Sequence, residues 1–244
     1  YIGLGKMWIA RGSFPKARKS LLKALRAAEQ DEELREIEGM AAHDLCTVEI
    51  DCDREASVSE YARAALAAYG PGHRLLPSLA HDVAFFWLKR GEFARSLPIL
   101  LTVVTRLSHV HRIVCYGNIA RAAAALGRAE LYEVACAEVM SESNDSHPRK
   151  GDAYVALAHA ALSLNFLEDA EAYALTALRI AGNRSESEVA FVAQGIREAV
   201  LSAKAALSNQ SDRAEATAVK MQMPDELVTA FIEHLESCET VLAD

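Results

Sequence analysis

The tetrapeptide Ala42-His43-Asp44-Leu45 returns, almost unchanged, as Ala80-His81-Asp82-Val83, 38 residues further on. Self-similarity at such a period constrains folding more than any local propensity. A repeat of this length is one supersecondary unit, and it buries its apolar side only by stacking on its neighbours. A register drawn through Leu4, Leu45, Val83, Ile119 and Leu157 extends the echo to five units, with spacings of 41, 38, 36 and 38 residues.

Each unit reads as two helices joined by a turn. In the first, Leu4-Gly5 and Trp8 lie on one helix, Gly12-Ser13 on the turn, and Ala17, Leu21 and Ala24 on a second helix from Pro15 to about Ala28. Ser13 suits an N-cap, and Pro15 is tolerated where first-turn amides need no helical partner. Gly5 and Ala17 are small enough for the paired helices to approach closely. The third unit repeats the order with Val83-Ala84, Trp87, Gly91, Phe93, Ser96, Leu100 and Val103. The fourth gives Ile119-Ala120, Ala123, Gly127, Tyr132, Cys136 and Val139, and the fifth Leu157-Ala158, Ala161, Asn165, Leu167, Ala170, Ala174 and Ala177. Asn165 stands where the others have Gly because Asn also tolerates a left-handed backbone. The second unit diverges: its turn is expected to be enlarged by Cys52-Asp53-Arg54-Glu55-Ala56 before Ala62, Leu66 and Tyr69 resume a helix. Ala and Leu number 45 and 28 of 244 residues, which supports helix throughout, while 12 Gly and 6 Pro are too few for an all-β chain.

Leu-Gly, aromatic, Gly, aromatic, Ala, large apolar and Ala at these offsets resemble the tetratricopeptide repeat. That resemblance implies an all-α fold, a right-handed α-solenoid of about five helix-turn-helix repeats with a C-terminal capping helix. Residues 1–182 divide into repeats at about 1–34, 35–72, 73–108, 109–146 and 147–182, and 183–244 hold a degenerate sixth repeat and capping helices. The long period is similar to that of repeats in bacterial regulators, where they sense peptides or partner proteins. Gly182-Asn183 is expected to cap the fifth repeat, Ser185 to about Leu207 to form a long helix, and a short helix to end near Lys220. Pro224 opens a final helix to about Leu242 with Leu227, Val228, Phe231, Ile232 and Leu235 on one face. Pro98, six residues into a helix, predicts a kink or a late start.

A net charge of −8 without a basic block argues against nucleic acid, and no apolar run approaches the length of a membrane span. Five cysteines (Cys46, Cys52, Cys115, Cys136, Cys238) without C-x-x-C spacing read as reduced thiols of a cytoplasmic chain. Tyr1 sits inside a helical pattern without a cap, so an upstream portion is expected, and with it the alternative of a sensor domain belonging to a larger regulator.

The His43-Asp44 and His81-Asp82 pairs resemble the metal-ligand dipeptide of one phosphohydrolase class. The further His and Asp that class needs are missing, and recurrence at the repeat period explains the pairs better as groove residues bonded between neighbouring repeats. His109-x-His111 reads as a solvated helix start, Asp51, Asp53 and Glu55 as an acidic turn, and the Glu29-to-Glu38 cluster as an exposed helix start. No nucleophile elbow, phosphate loop or zincin motif occurs. The chain is therefore expected to be no enzyme and to need no metal or cofactor.

In the resembled family, ligands lie against the first helix of each repeat. Its ninth position carries over to Lys6, Thr47, Phe85, Arg121 and His159, and its fifth to Ile2, His43, His81, Gly117 and Val155. The family's carboxylate clamp, Lys at the fifth and Asn at the ninth position, is absent. The resemblance thus implies a concave groove for a protein or peptide partner. Lys6 and Arg121 are its anion donors, Phe85 an apolar platform, His43, His81 and His159 hydrogen-bonding groups, and Asn118 a binder of peptide amides.

Overall fold

The computed structural model describes residues 1–144, 146–209 and 225–237. Among them the protein is all-α: twelve α-helices, one 3-10 turn and no strand. No helix among the described residues is long and apolar enough to cross a membrane. The chain forms two compact units, residues 1–90 with the C-terminal helix, and residues 91–209.

The first unit contains α1 (Ile2–Ala10), α2 (Phe14–Ala28), a 3-10 turn (Glu32–Leu34), α3 (Arg35–Asp51), α4 (Glu55–Tyr69) and α5 (Leu76–Lys89). Helix α3 is its centre, packed against α1, α2, α4 and α5. Ala41, Ala42, Leu45 and Cys46 on α3, with Ala17 and Leu21 on α2, are all fully buried. Close approach at α1 and α2 depends on Gly5: a β-carbon there would lie 2.5 Å from Leu21 Cδ2. Glycine serves α3 in the same way, because a β-carbon on Gly39 would lie 2.5 Å from the Tyr69 ring of α4.

The second unit contains α6 (Phe93–Val103), α7 (His109–Ala125), α8 (Ala129–Ser141), α9 (Lys150–Ser163), α10 (Leu167–Arg184) and α11 (Ser187–Asn209). Here α9 is central, touching α7, α8, α10 and α11. Alanines dominate the seam: Ala158, Ala161, Ala170 and Ala174 pack with Leu167, Ile196 and Val200. Small side chains let helix axes come together while the larger ones fill the flanks.

Five three-residue connections share one backbone feature. Three residues separate α1 from α2, α3 from α4, α5 from α6, α7 from α8 and α9 from α10. The middle residue always has positive φ: Gly12 (65°), Asp53 (54°), Gly91 (77°), Gly127 (67°) and Asn165 (60°). Each lies eight residues beyond its register position, Leu4, Leu45, Val83, Ile119 or Leu157. The backbone closes most of these turns with a Schellman pair, as in Ser13 N to Trp8 O (2.9 Å) and Gly12 N to Ile9 O (2.8 Å). The same crossed bonds run from Arg54 to Glu49 (3.0 Å), Arg128 to Ala123 (2.8 Å) and Phe166 to Ala161 (2.9 Å). The turn around Asp53 is therefore not enlarged; the aspartate takes the left-handed position itself.

Other details also depart from sequence expectation. Ser13 occupies the N-cap of α2 but its side chain makes no capping bond. Helix α10 runs through Gly182-Asn183 to Arg184, and Ser185 takes the left-handed cap (φ 57°) with Glu186 N bonded to Ala181 O at 3.0 Å. Pro98 delays nothing: α6 begins at Phe93 and carries the proline inside. The buried stripe of α11 is Val189, Ala193, Ile196 and Val200.

Helix α12 (Glu226–Glu236) belongs to the first unit, where it packs on α4 and α5. Its Leu227, Val228, Phe231 and Leu235 are buried, and Asp225 Oδ1 caps it by accepting the Leu227 amide at 2.9 Å. It begins two residues after Pro224, and the expected extension to Leu242 lies outside the described residues, as do the helix ending near Lys220 and Cys238. Cys46, Cys115 and Cys136 are buried free thiols and Cys52 is partly buried.

Candidate functional site

Consecutive first helices lie side by side in each unit, α1 on α3 on α5 and α7 on α9 on α11. Residues at one register position thereby become spatial neighbours, and four of the expected binding residues fall in the first unit. Lys6 on α1 reaches Asp44 on α3 at 3.7 Å and stays half-exposed. Burial pushes the Asp44 carboxyl up, against the pull of Lys6, and its Oδ2 is buried without a partner.

His43 and His81 converge on one carboxylate, Asp82 of α5. His43 Nε2 lies 3.2 Å from Asp82 Oδ2, and His43 Nδ1 lies 3.3 Å from the Tyr69 hydroxyl of α4. A neutral imidazole satisfies both bonds, donating from Nε2 to Asp82 and accepting from Tyr69. His81 Nδ1 approaches Asp82 Oδ1 at 3.6 Å. Packing around the Asp82 carboxyl favours its neutral form, but the bonds from His43 and His81 outweigh this and hold its pKa at about 2. Burial pushes the Tyr69 hydroxyl far above its ordinary range, so it acts as a donor and not as an anion. His81 is buried outright. These groups tie α3, α4 and α5 together, which leaves Lys6 and Phe85 as the solvent-facing members. Phe85 is partly buried and carries the Lys89 ammonium 5.6 Å from its ring centre.

Asn118, Arg121 and His159 belong to the second unit. Asn118 is only 2% exposed, so its amide faces the packed interior and is not presented at the surface as sequence suggests. Gly117 beside it allows α7 to touch α9: a β-carbon there would lie 3.0 Å from the Ala153 carbonyl oxygen. Arg121 on α7 and His159 on α9 are register equivalents, 38 residues apart, and both are partly buried. Among the described residues no carboxylate or hydrogen-bond acceptor is paired with the Arg121 guanidinium, and burial lowers its pKa. His159 is pushed down to about 4, by burial first and by the Arg121 charge second. At neutral pH this pair is one cation, without a counter-charge among the described residues, beside a neutral imidazole.

Sequence reasoning missed Asp82 as the shared acceptor and Tyr69 as the second partner of His43. The echo contained the signal for Asp82, since both His-Asp pairs sit at one repeat position on adjacent helices. His109 also differs from expectation: its Nε2 lies 3.4 Å from Glu142 Oε2, whereas His111 Nδ1 pairs locally with Ser108 Oγ at 2.9 Å. No protein-family model matches the chain, and no curated protein is similar to it.

Proposed function

We propose that the chain is a tetratricopeptide-like repeat module that binds a negatively charged segment of a partner protein without catalysing a reaction. The repeat assignment draws support from the five equivalent turns and from first helices stacking on first helices. The binding assignment rests on one observation, the partly buried guanidinium of Arg121, which has no counter-charge among the described residues. A cation that gives up water without gaining a carboxylate loses solvation, and an incoming anion restores the balance. Neighbouring His159, neutral at pH 7, offers a hydrogen bond without repelling the partner. In the first unit, half-exposed Lys6, which Asp44 approaches at 3.7 Å, and the Phe85 face supply a second cation and an apolar surface. Rigid helix pairs present these groups preformed, so little ordering entropy is lost by the receptor on binding.

Fluorescence anisotropy with labelled acidic peptides bearing free C-termini tests this reading. Binding should weaken with salt, fall about ten-fold or more in Arg121→Glu, and be partly retained in Arg121→Lys. Equal affinity of Arg121→Glu and the parent protein, both folded by circular dichroism, refutes the assignment.

A further inference from the structure

We propose that His109, Glu142 and His147 of the second unit form a binding site for a zinc-class divalent cation. This site is independent of the Arg121 reading. His109 lies ten residues before Ile119, and His147 ten before Leu157. They are thus the same repeat position, His109 opening α7 and His147 in the loop three residues before α9, and their rings lie 5.1 Å apart at 59°. Glu142 enters from the end of α8. One ligating atom from each of the three residues lies within 4.8 Å of the other two.

The His109 Nε2 to Glu142 Oε2 separation is 3.4 Å. Tetrahedral zinc with bonds of about 2.0–2.1 Å needs ligand atoms about 3.3–3.5 Å apart, so this edge is already in place. Glu142 is oriented for the task because its other oxygen, Oε1, accepts the Asn144 amide at 2.8 Å. His147 supplies a second, independent sign. It is 2% exposed, and its Nε2 is buried with no hydrogen-bond partner. A buried ring nitrogen left without a partner calls for a ligand. The loop is fixed from behind by Arg184, which donates to the His147 carbonyl at 2.7 Å.

The Arg149 amide donates to His147 Nδ1 at 3.3 Å, which leaves the ring proton of the metal-free state on Nε2. Metal at Nε2 moves that proton to Nδ1 and gives up this long bond, so affinity is lower than in a site with a second-shell acceptor. Two imidazoles and one carboxylate select zinc, cobalt or nickel over calcium and magnesium, which prefer all-oxygen sets. A fourth position stays open to water. His109 is 75% exposed in its side chain, so the cation enters from solvent. Bound metal joins the start of α7 to the end of α8 and the loop that leads into α9.

The test is titration of the chelator-treated full chain with Zn²⁺ by calorimetry and with Co²⁺ by visible absorption. One equivalent should bind with the intense d–d bands of tetrahedral cobalt, unaffected by Mg²⁺ or Ca²⁺, and the Arg149 amide resonance should shift. His109→Ala and Glu142→Gln, both outside the core, should each weaken binding about ten-fold or more. Absence of stoichiometric uptake overturns the proposal, as does uptake unchanged in both variants, which assigns the metal to unrelated surface histidines.

Discussion

Gly127→Ala and Gly182→Ala make the same chemical change in the same unit and should move stability in opposite directions. A β-carbon at either position meets no atom within 4 Å, so packing contributes nothing to the difference. Gly127 has φ of 67°, and alanine there incurs the left-handed penalty of about 1–2 kcal/mol. Stiffening of the unfolded chain returns about 0.4–1 kcal/mol, which leaves a net loss near 1 kcal/mol. Gly182 lies inside α10, where alanine gains about 0.5–1 kcal/mol in helix propensity. Expressed as midpoints, the loss at 127 and the gain at 182 each amount to a few degrees, about 2–4 °C per kcal/mol for a chain of this size. Thermal melts followed at 222 nm, with urea titrations to check that the slope is unchanged, measure both. If Gly182→Ala destabilises as Gly127→Ala does, Gly182 is a left-handed cap, α10 ends where the sequence alone places it, and the turn assignment falls.

Three further outcomes follow from the structure. Glu49 is fully buried and accepts from Arg18 Nε (2.7 Å) and Arg54 Nη1 (3.3 Å); Glu49→Leu should cost about 1–3 kcal/mol by urea titration, less than a fully buried pair because both arginines can turn to solvent. Protonation of His159 is disfavoured in the folded state, so its contribution is fully present above pH 6.5 and disappears as pH falls toward about 4. His159→Gln should flatten stability across that window, and an unchanged pH profile would count against the burial. Phe231→Ala, removing a fully buried ring of α12, should cost about 3–5 kcal/mol at most and expose residues 225–237 to limited proteolysis, leaving 1–90 folded.

Much of the helical plan was legible because hairpin turns and tight crossings demand particular residues. Gly12, Gly91, Gly127 and Asn165 marked four turns, since few side chains tolerate positive φ. Asp53 and Ser185 escaped notice because aspartate and serine are ordinary in many other settings, and because Gly182, a commoner cap, stood close by. The site was less legible. His43 and His81 approach the same group, but their shared acceptor depends on which carboxylate α5 presents to α3. Asn118 occupies an expected binding position, yet it is only 2% exposed. The repeat register puts His109 and His147 at one position, but the arrival of Glu142 beside them depends on how α8 leads into α9.

The residues that follow the left-handed position are Ser13, Arg54, Glu92, Arg128 and Phe166, and none of them caps its helix with a side chain. Two main-chain amides hold the bend in the Schellman pairs, so the corner places almost no demand on side-chain chemistry beyond one residue able to adopt positive φ. A gene segment encoding such a hairpin can be copied, and its corner can then drift through hydroxyl, cationic, acidic and aromatic residues while the bend survives. Exchange of corner tripeptides between pairs, for example Leu126-Gly127-Arg128 into the place of Leu164-Asn165-Phe166, should therefore yield folded protein, a tolerance that few positions in the alanine seams share.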